Sequence, residues 1–221
     1  AASARPGPVV LAFPQDVLDE IVVAVPEILR SPGQRGLHAS EVEQIKSLLQ
    51  QAHQPVLIVG GASLDASAIE HIERFADQNK IPVCVSFRRL DCFDNTHPSY
   101  AGYLGLSAHD DVWSFMNQSD CVLVLGARLD EPSTQGYTRF PNRQNVKLIH
   151  VYPNLKEIGL NYGPDVGVCA DVNKVARTLA DIKLETNPGR ERWCQRLNRS
   201  YLKASVSPVS DGRIDLGAVM A

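Results

Sequence analysis

No stretch of this 221-residue sequence approaches the roughly 18 consecutive apolar residues of a membrane span, and the opening AASARPGPVV lacks the apolar centre of a secretory leader. A soluble protein working in the cytoplasm, away from membranes, is the expectation. The five cysteines, Cys84, Cys92, Cys121, Cys169 and Cys194, contain no CxxC pair. Cys84 and Cys121 lie inside apolar runs, where they read as small buried side chains in the reduced state. The six histidines form no HxxxH or HExxH pattern, so no metal site is expected. His71, among charged neighbours on an amphipathic helix, reads as a surface residue. Basic stripes are absent too. The 22 Lys and Arg are spread among 25 Asp and Glu for a net charge of -3, which excludes the footprint that tracks a nucleic-acid backbone. The only methionines are Met116 and Met220, so the chain does not open on a start residue and is read as part of a longer protein.

What is present is a chain long enough, and at 44% hydrophobic apolar enough, for one sizeable core with docked extensions. Residues 8–13, PVVLAF, read as a short buried strand, followed to about residue 38 by a linker broken by Pro14, Pro26, Pro32, Gly33 and Gly36. Ser40 and Glu43 have capping-box spacing, and Val42, Ile45, Leu48, Leu49 and Ala52 share one face of a helix over about 41–52. Then come five runs that are apolar at almost every position: PVLIVGG, IPVCVS, CVLVLG, VKLIHV and VGVCA. Between them lie a helix with Ile69, Ile72, Phe75 and Ala76 inward, a long loop RRLDCFDNTHPSYAGYLG, and a helix near 109–118. Asp171 caps a helix with Val172, Val175, Ala176, Leu179 and Ile182 inward, and Asn187-Pro188 opens another in which Trp193, Leu197 and Tyr201 share a face.

Strands apolar on both faces, alternating with helices of about a dozen residues, are what a parallel sheet covered on both sides requires. The fold class is therefore α/β: a three-layer, Rossmann-like parallel sheet with helices on both faces, spanning about 39–183. In such sheets ligands bind beyond the carboxyl ends of the strands. That places Gly60, Gly61, Ala62 and Ser63, then Ser86 to Arg89, then Gly126 to Glu131, then Tyr152 to Asn154 along one edge. GGASLD is not GxGxxG, because Asp65 stands at the third glycine position, and Arg88 and Arg89 occupy the place of the acid that takes a ribose hydroxyl. A complete NAD-type dehydrogenase is disfavoured. Arg128 has two readings: a two-point clamp on a diphosphate or carboxylate, or an ion pair with Asp130 or Glu131 that orders the loop. No nucleophile, base and oxyanion set is visible, so no catalytic residue is assigned.

RPGPVVLAFPQDVL, QPVLIVGGA, NTHPSYAGYLG, SDCVLVLGARLDE and KLIHVYPN, followed by an Asp-capped helix, occur in an order that resembles the thiamine-diphosphate-dependent enzymes, acetolactate synthase-like branch. The resemblance covers about residues 5–183: the end of the first domain and the whole central domain of about six strands. It implies that residues 1–38 close the pyrimidine-binding domain and lead out of it, that 39–183 are the central domain, and that 184–221 lead towards a diphosphate-binding domain. The parent would be a lyase or transferase making or breaking carbon-carbon bonds of 2-oxo acids, a homodimer or homotetramer using thiamine diphosphate and magnesium. Its catalytic glutamate and GDG metal motif lie in the other two domains, and SDGRID here is no substitute. On this reading the fragment is inactive alone, and its partners are the other domains of the same enzyme. The family's central crevice holds FAD in acetolactate synthases and ADP in oxalyl-CoA decarboxylases. Carried over, the contacts would be Gly60, Gly61 and Ala62, then Gly102, Leu104 and Gly105, then Gly126, Ala127, Arg128 and Asp130. GARLDEP departs from the family's GARFDDR, HVYPN puts Tyr152 in place of an aspartate of HIDID, and RRLDCFDN replaces a glycine-rich stretch. The alternative function is a regulatory module binding an adenine nucleotide such as ADP or FAD.

Overall fold

The computed structural model describes residues 7–21, 35–61, 64–142 and 144–206. The linker prolines Pro26 and Pro32 with Gly33, the site candidate Ala62, Ser63, and residues 207–221 lie outside the described residues.

The strands are β1 (Pro55–Val59), β2 (Val83–Val85), β3 (Tyr100–Tyr103), β4 (Cys121–Leu125), β5 (Lys147–Tyr152) and β6 (Val166–Cys169). They form one sheet in the order β3-β2-β1-β4-β5-β6, and every pairing is parallel. β1 and β4 are buried at all positions, as strands covered on both faces must be. One face is covered by α2 (Ala39–Gln51), α3 (Ala66–Asn79) and α6 (Val172–Leu179), packed on Leu57, Val59, Leu123 and Leu125. The other is covered by α4 (Asp110–Gln118) and α7 (Pro188–Ala204), packed on Val56, Ile58, Val122 and Val124. This is the expected three-layer α/β fold. α7 also wraps the sheet edge. Trp193 donates from Nε1 to the Pro55 carbonyl (2.9 Å), Asn198 to the Tyr100 carbonyl (2.9 Å), and Tyr201 meets Tyr100 edge-on.

Three local readings are corrected. Residues 8–13 form no strand: Val9, Val10, Leu11 and Phe13 are exposed, and no described strand gives the segment a ladder. Only the single turn α1 (Gln15–Leu18) follows. The sixth strand of the sheet is β3, inside the stretch assigned to a long loop. α2 begins two residues earlier than its Ser40-Glu43 spacing suggests. Its N-cap is His38, and the Glu41 carboxylate accepts from the His38 backbone N–H (2.8 Å) and from both terminal nitrogens of Arg35 (2.7 Å each). Hydrogen bonding from Arg35 pulls the Glu41 carboxyl down to about 2.

Candidate functional site

The strand order reverses between β1 and β4, so the carboxyl ends of these two strands flank the switch point where an open α/β sheet offers a crevice. The backbone there is tightly turned. Gly60, Gly61 and Gly126 have φ of 149°, 74° and 76°, and non-glycine residues Arg88, Leu129, Gln135 and Tyr137 hold left-handed φ of 58°, 54°, 47° and 62°. Strained residues persist only where their surroundings over-determine them.

The surroundings do so here with protein atoms. A Cβ at Gly60 would lie 2.0 Å from Ser86 Oγ, one at Gly61 would lie 2.3 Å from the Gly126 carbonyl oxygen, and one at Gly105 would lie 2.8 Å from the Phe87 ring. The glycines let four strand-end loops close onto one another. Gly60, Leu104, Gly105, Gly126 and Ala127 are consequently buried, and Gly102 is buried with its Cβ position 3.1 Å from Val112. Of the described candidates only Gly61, Arg128 and Asp130 keep appreciable surface.

The ion pair of the second reading of Arg128 is present. Arg128 donates to Asp130 (3.2 Å), while Asp130 also caps α5 (Glu131–Thr134) by accepting from the Ser133 N–H. Arg89 is likewise paired with Asp91 (3.1 Å), and exposed Arg88 stacks over Phe87. Beyond α5, Gln135 Nε2 donates to the Gly105 carbonyl (3.0 Å), so the segment leaving β4 reaches across to the loop after β3 and roofs the switch point.

Two side chains that the sequence reading did not single out fix this roof from below. His150, 2% exposed on β5, bonds the Ala127 carbonyl through Nε2 (2.9 Å), while its Nδ1 has no hydrogen-bond partner. Burial pushes the imidazole below its ordinary value of 6.5, so it is the neutral form that donates. Asn161 Nδ2 donates to the Leu129 carbonyl (3.2 Å). The signal for His150 is the polar residue inside the apolar run LIHV; only the strand register turns it towards the loop. Tyr152 ends β5 buried, its ring 6.4 Å from that of His150.

A diphosphate needs unpaired N–H groups at a helix N-terminus. At the starts of α3, α4, α6 and α7 one or two of these N–H groups are taken by the chain's own side chains. Asp65 accepts from Ala68 N, His109 from Asp111 N, Asp171 from Asn173 and Lys174 N, and Asn187 from Gly189 and Arg190 N. Asp65, Asp171 and the first-turn pair Asp110-Asp111 add negative charge where a phosphate would lie. Among the described residues no group of three or more His, Cys, Asp or Glu is placed to hold a metal. A hollow of about 390 Å³ lies elsewhere, at the β3 edge between α4 and α7, and Gly102 alone of the candidates borders it.

Residues 42–179 match the family model described as thiamine pyrophosphate enzyme, central domain. A probable acetolactate synthase large subunit of Methanocaldococcus jannaschii is 29% identical over 206 residues, 89% of this chain and 34% of the relative. An acetolactate synthase large subunit of Corynebacterium glutamicum is 30% identical over 185 residues, 82% of this chain and 29% of the relative. An acetolactate synthase of Mycobacterium bovis is 30% identical over 224 residues, 97% of this chain and 36% of the relative. The chain thus spans about a third of the length of the curated relatives it matches.

Proposed function

The chain belongs to the thiamine pyrophosphate enzyme central-domain family, and from that premise we propose that it is the mainly structural central domain of a thiamine-diphosphate-dependent enzyme of acetolactate synthase type. The parent is a lyase or transferase that makes or breaks carbon-carbon bonds of 2-oxo acids. It works in the cytoplasm as a homodimer or homotetramer, and the cofactor and its magnesium are held by the domains flanking this one. When bound there, thiamine diphosphate supplies the carbanion chemistry. This chain supplies a rigid sheet that keeps its neighbours in register. Residues 1–38 and 184–221 are the connections to those neighbours. The exposed Val9, Val10, Leu11 and Phe13 suit a strand that pairs only in the neighbouring domain's sheet.

The observation that carries the structural role is the packing of the strand-end loops on one another: Ser86, Phe87 and the Gly126 carbonyl stand where a side chain at Gly60, Gly105 and Gly61 would have to lie. We read Gly60, Gly61, Gly102, Leu104, Gly105, Gly126 and Ala127 as loop-packing residues, and Arg128 with Asp130 as a loop-ordering pair. No observation favours the adenine-nucleotide module over this reading.

Thermal melts test it. A ligand at about 100 times its Kd adds roughly 2.7 kcal/mol, or roughly 5–11 °C for a protein of this size. Thiamine diphosphate with magnesium is expected to leave the melting temperature of residues 1–221 unchanged and to raise that of the parent. A saturable rise in 1–221 refutes the structural role.

A further inference from the structure

The hollow at the β3 edge joins an aromatic body to a single acidic end. Its volume of about 390 Å³ is that of a small-molecule pocket. β3 contributes Tyr100 and Tyr103 to the lining, α4 contributes Phe115 and α7 contributes Tyr201. Tyr100 and Tyr201 meet edge to face, their ring centres 4.6 Å apart. Gly102 keeps the floor clear, since a Cβ there would stand 3.1 Å from Val112 and 3.8 Å from Tyr201, both of which line the hollow.

The acidic end is Asp111, in the first turn of α4. Ser200 of α7 donates to its Oδ2 (2.5 Å), which joins two walls of the hollow. His109 does not neutralise the carboxylate. Its Nδ1 accepts from the Asp111 backbone N–H (3.3 Å), so no Nδ1 proton faces the carboxylate oxygen 3.7 Å away. No Lys or Arg is among the lining residues, and Arg139 pairs with the adjacent Asp110 instead (3.2 Å). A helix start accounts for a carboxylate. It does not account for four aromatic rings gathered beside one, an arrangement that attracts an organic cation through charge and ring faces together.

We propose that this hollow is a binding site for a small organic monocation with a flat apolar body, of the aryl-alkyl amine class. The rings take the body. Ser200 holds Oδ2 of Asp111, and Oδ1 is the acceptor for the ammonium. Anionic ligands are selected against, because a phosphate or carboxylate would meet Asp111 with no cation in the lining. The hollow is distinct from the switch point, of whose candidate residues only Gly102 borders it.

Phenethylamine, 2-phenylethanol and phenylacetate share a skeleton and differ in charge. In calorimetric titrations of residues 1–221 and of the parent polypeptide, at low salt and about pH 7.5, the amine is expected to bind at least about tenfold more tightly than the alcohol, and the acid least. Asp111→Asn keeps an acceptor for Ser200 and is expected to bring the amine to the level of the alcohol, while Asp110→Asn, outside the lining, keeps the order. Ala204→Trp, at an exposed position of the lining, fills the hollow and is expected to abolish binding of amine and alcohol alike. The comparison of the three probes on the unaltered chain needs no variant to fold. Equal binding of the three overturns the proposal, as does no binding below about 10 mM. Amine affinity that survives Asp111→Asn or Ala204→Trp overturns it too, because the probe then sits elsewhere. So does binding by residues 1–221 that the parent lacks, which shows the hollow covered by the rest of the polypeptide.

Discussion

Replacing Gly61 by alanine separates two explanations of the strand-end glycines. If Gly61 is there to let a ligand approach, a methyl group harms binding and costs the free chain only backbone strain. If it is there to let loops meet, the methyl collides with the protein itself. Gly61 has φ 74°, and its Cβ position lies 2.3 Å from the Gly126 carbonyl oxygen and 3.2 Å from the Ala127 Cα. Both obstacles are backbone, in a loop pinned by His150 and Asn161, so neither can swing away. Gly136 is the control: its φ is 69°, and nothing lies within 4 Å of its Cβ position. Left-handed strain costs an L-residue roughly 1–2 kcal/mol at either site. Overpacking adds roughly 1–3 kcal/mol at Gly61 alone. Urea unfolding of the two variants reads the difference directly, provided that the slope against denaturant is unchanged. By melting temperature, each kcal/mol is worth about 2–4 °C at this chain length. Equal losses for Gly61→Ala and Gly136→Ala refute loop closure as the reason for the glycine.

Two further outcomes follow from buried titratable groups. His150 is held below its ordinary 6.5, first by burial, with the Ala127 carbonyl and Glu157 opposing. Above that value both folded and unfolded chains are neutral at this site; as the pH falls through it the unfolded chain binds the proton first, and stability drops by at most about 1.4 kcal/mol per pH unit. His150→Gln retains a donor for Ala127 and is expected to flatten the decline in urea midpoint between about pH 7.5 and 5; an unchanged slope shows that another group is responsible. The second outcome concerns thiols. Burial pushes Cys84 up to about 12, and Cys92 and Cys194 to about 11, while Cys121 is buried and Cys169 is half-buried on the edge strand β6. A disulfide reagent near pH 8 is expected to titrate one thiol of the native chain quickly and the rest only on unfolding. Two or more fast thiols contradict the burial.

How much of this was legible in the residues depends on what each element is made of. β1 and β4 announce themselves because a strand buried on both faces can carry no polar residue, and their carboxyl ends are marked by the glycines that turn the chain. β3 stays hidden because YAGY is four residues long, contains Gly102 and borrows its protection from α7 instead of from its own composition. The start of α2 is missed for a chemical reason: histidine is outside the usual capping set, so Ser40 looks the better cap although Glu41 has already bonded back to His38. The site poses a harder problem. A glycine kept for a ligand and a glycine kept for a neighbouring loop leave the same letter in the sequence. Only the position of Ser86 Oγ against Gly60, and of the Gly126 carbonyl against Gly61, tells them apart. The acids carry an early version of the answer. Asp65, Asp110, Asp111 and Asp171 all fall at helix starts, where a phosphate-binding sheet would leave bare N–H groups. A sequence that places its own carboxylates at those ends has already used the positive poles of its helices to hold its fold.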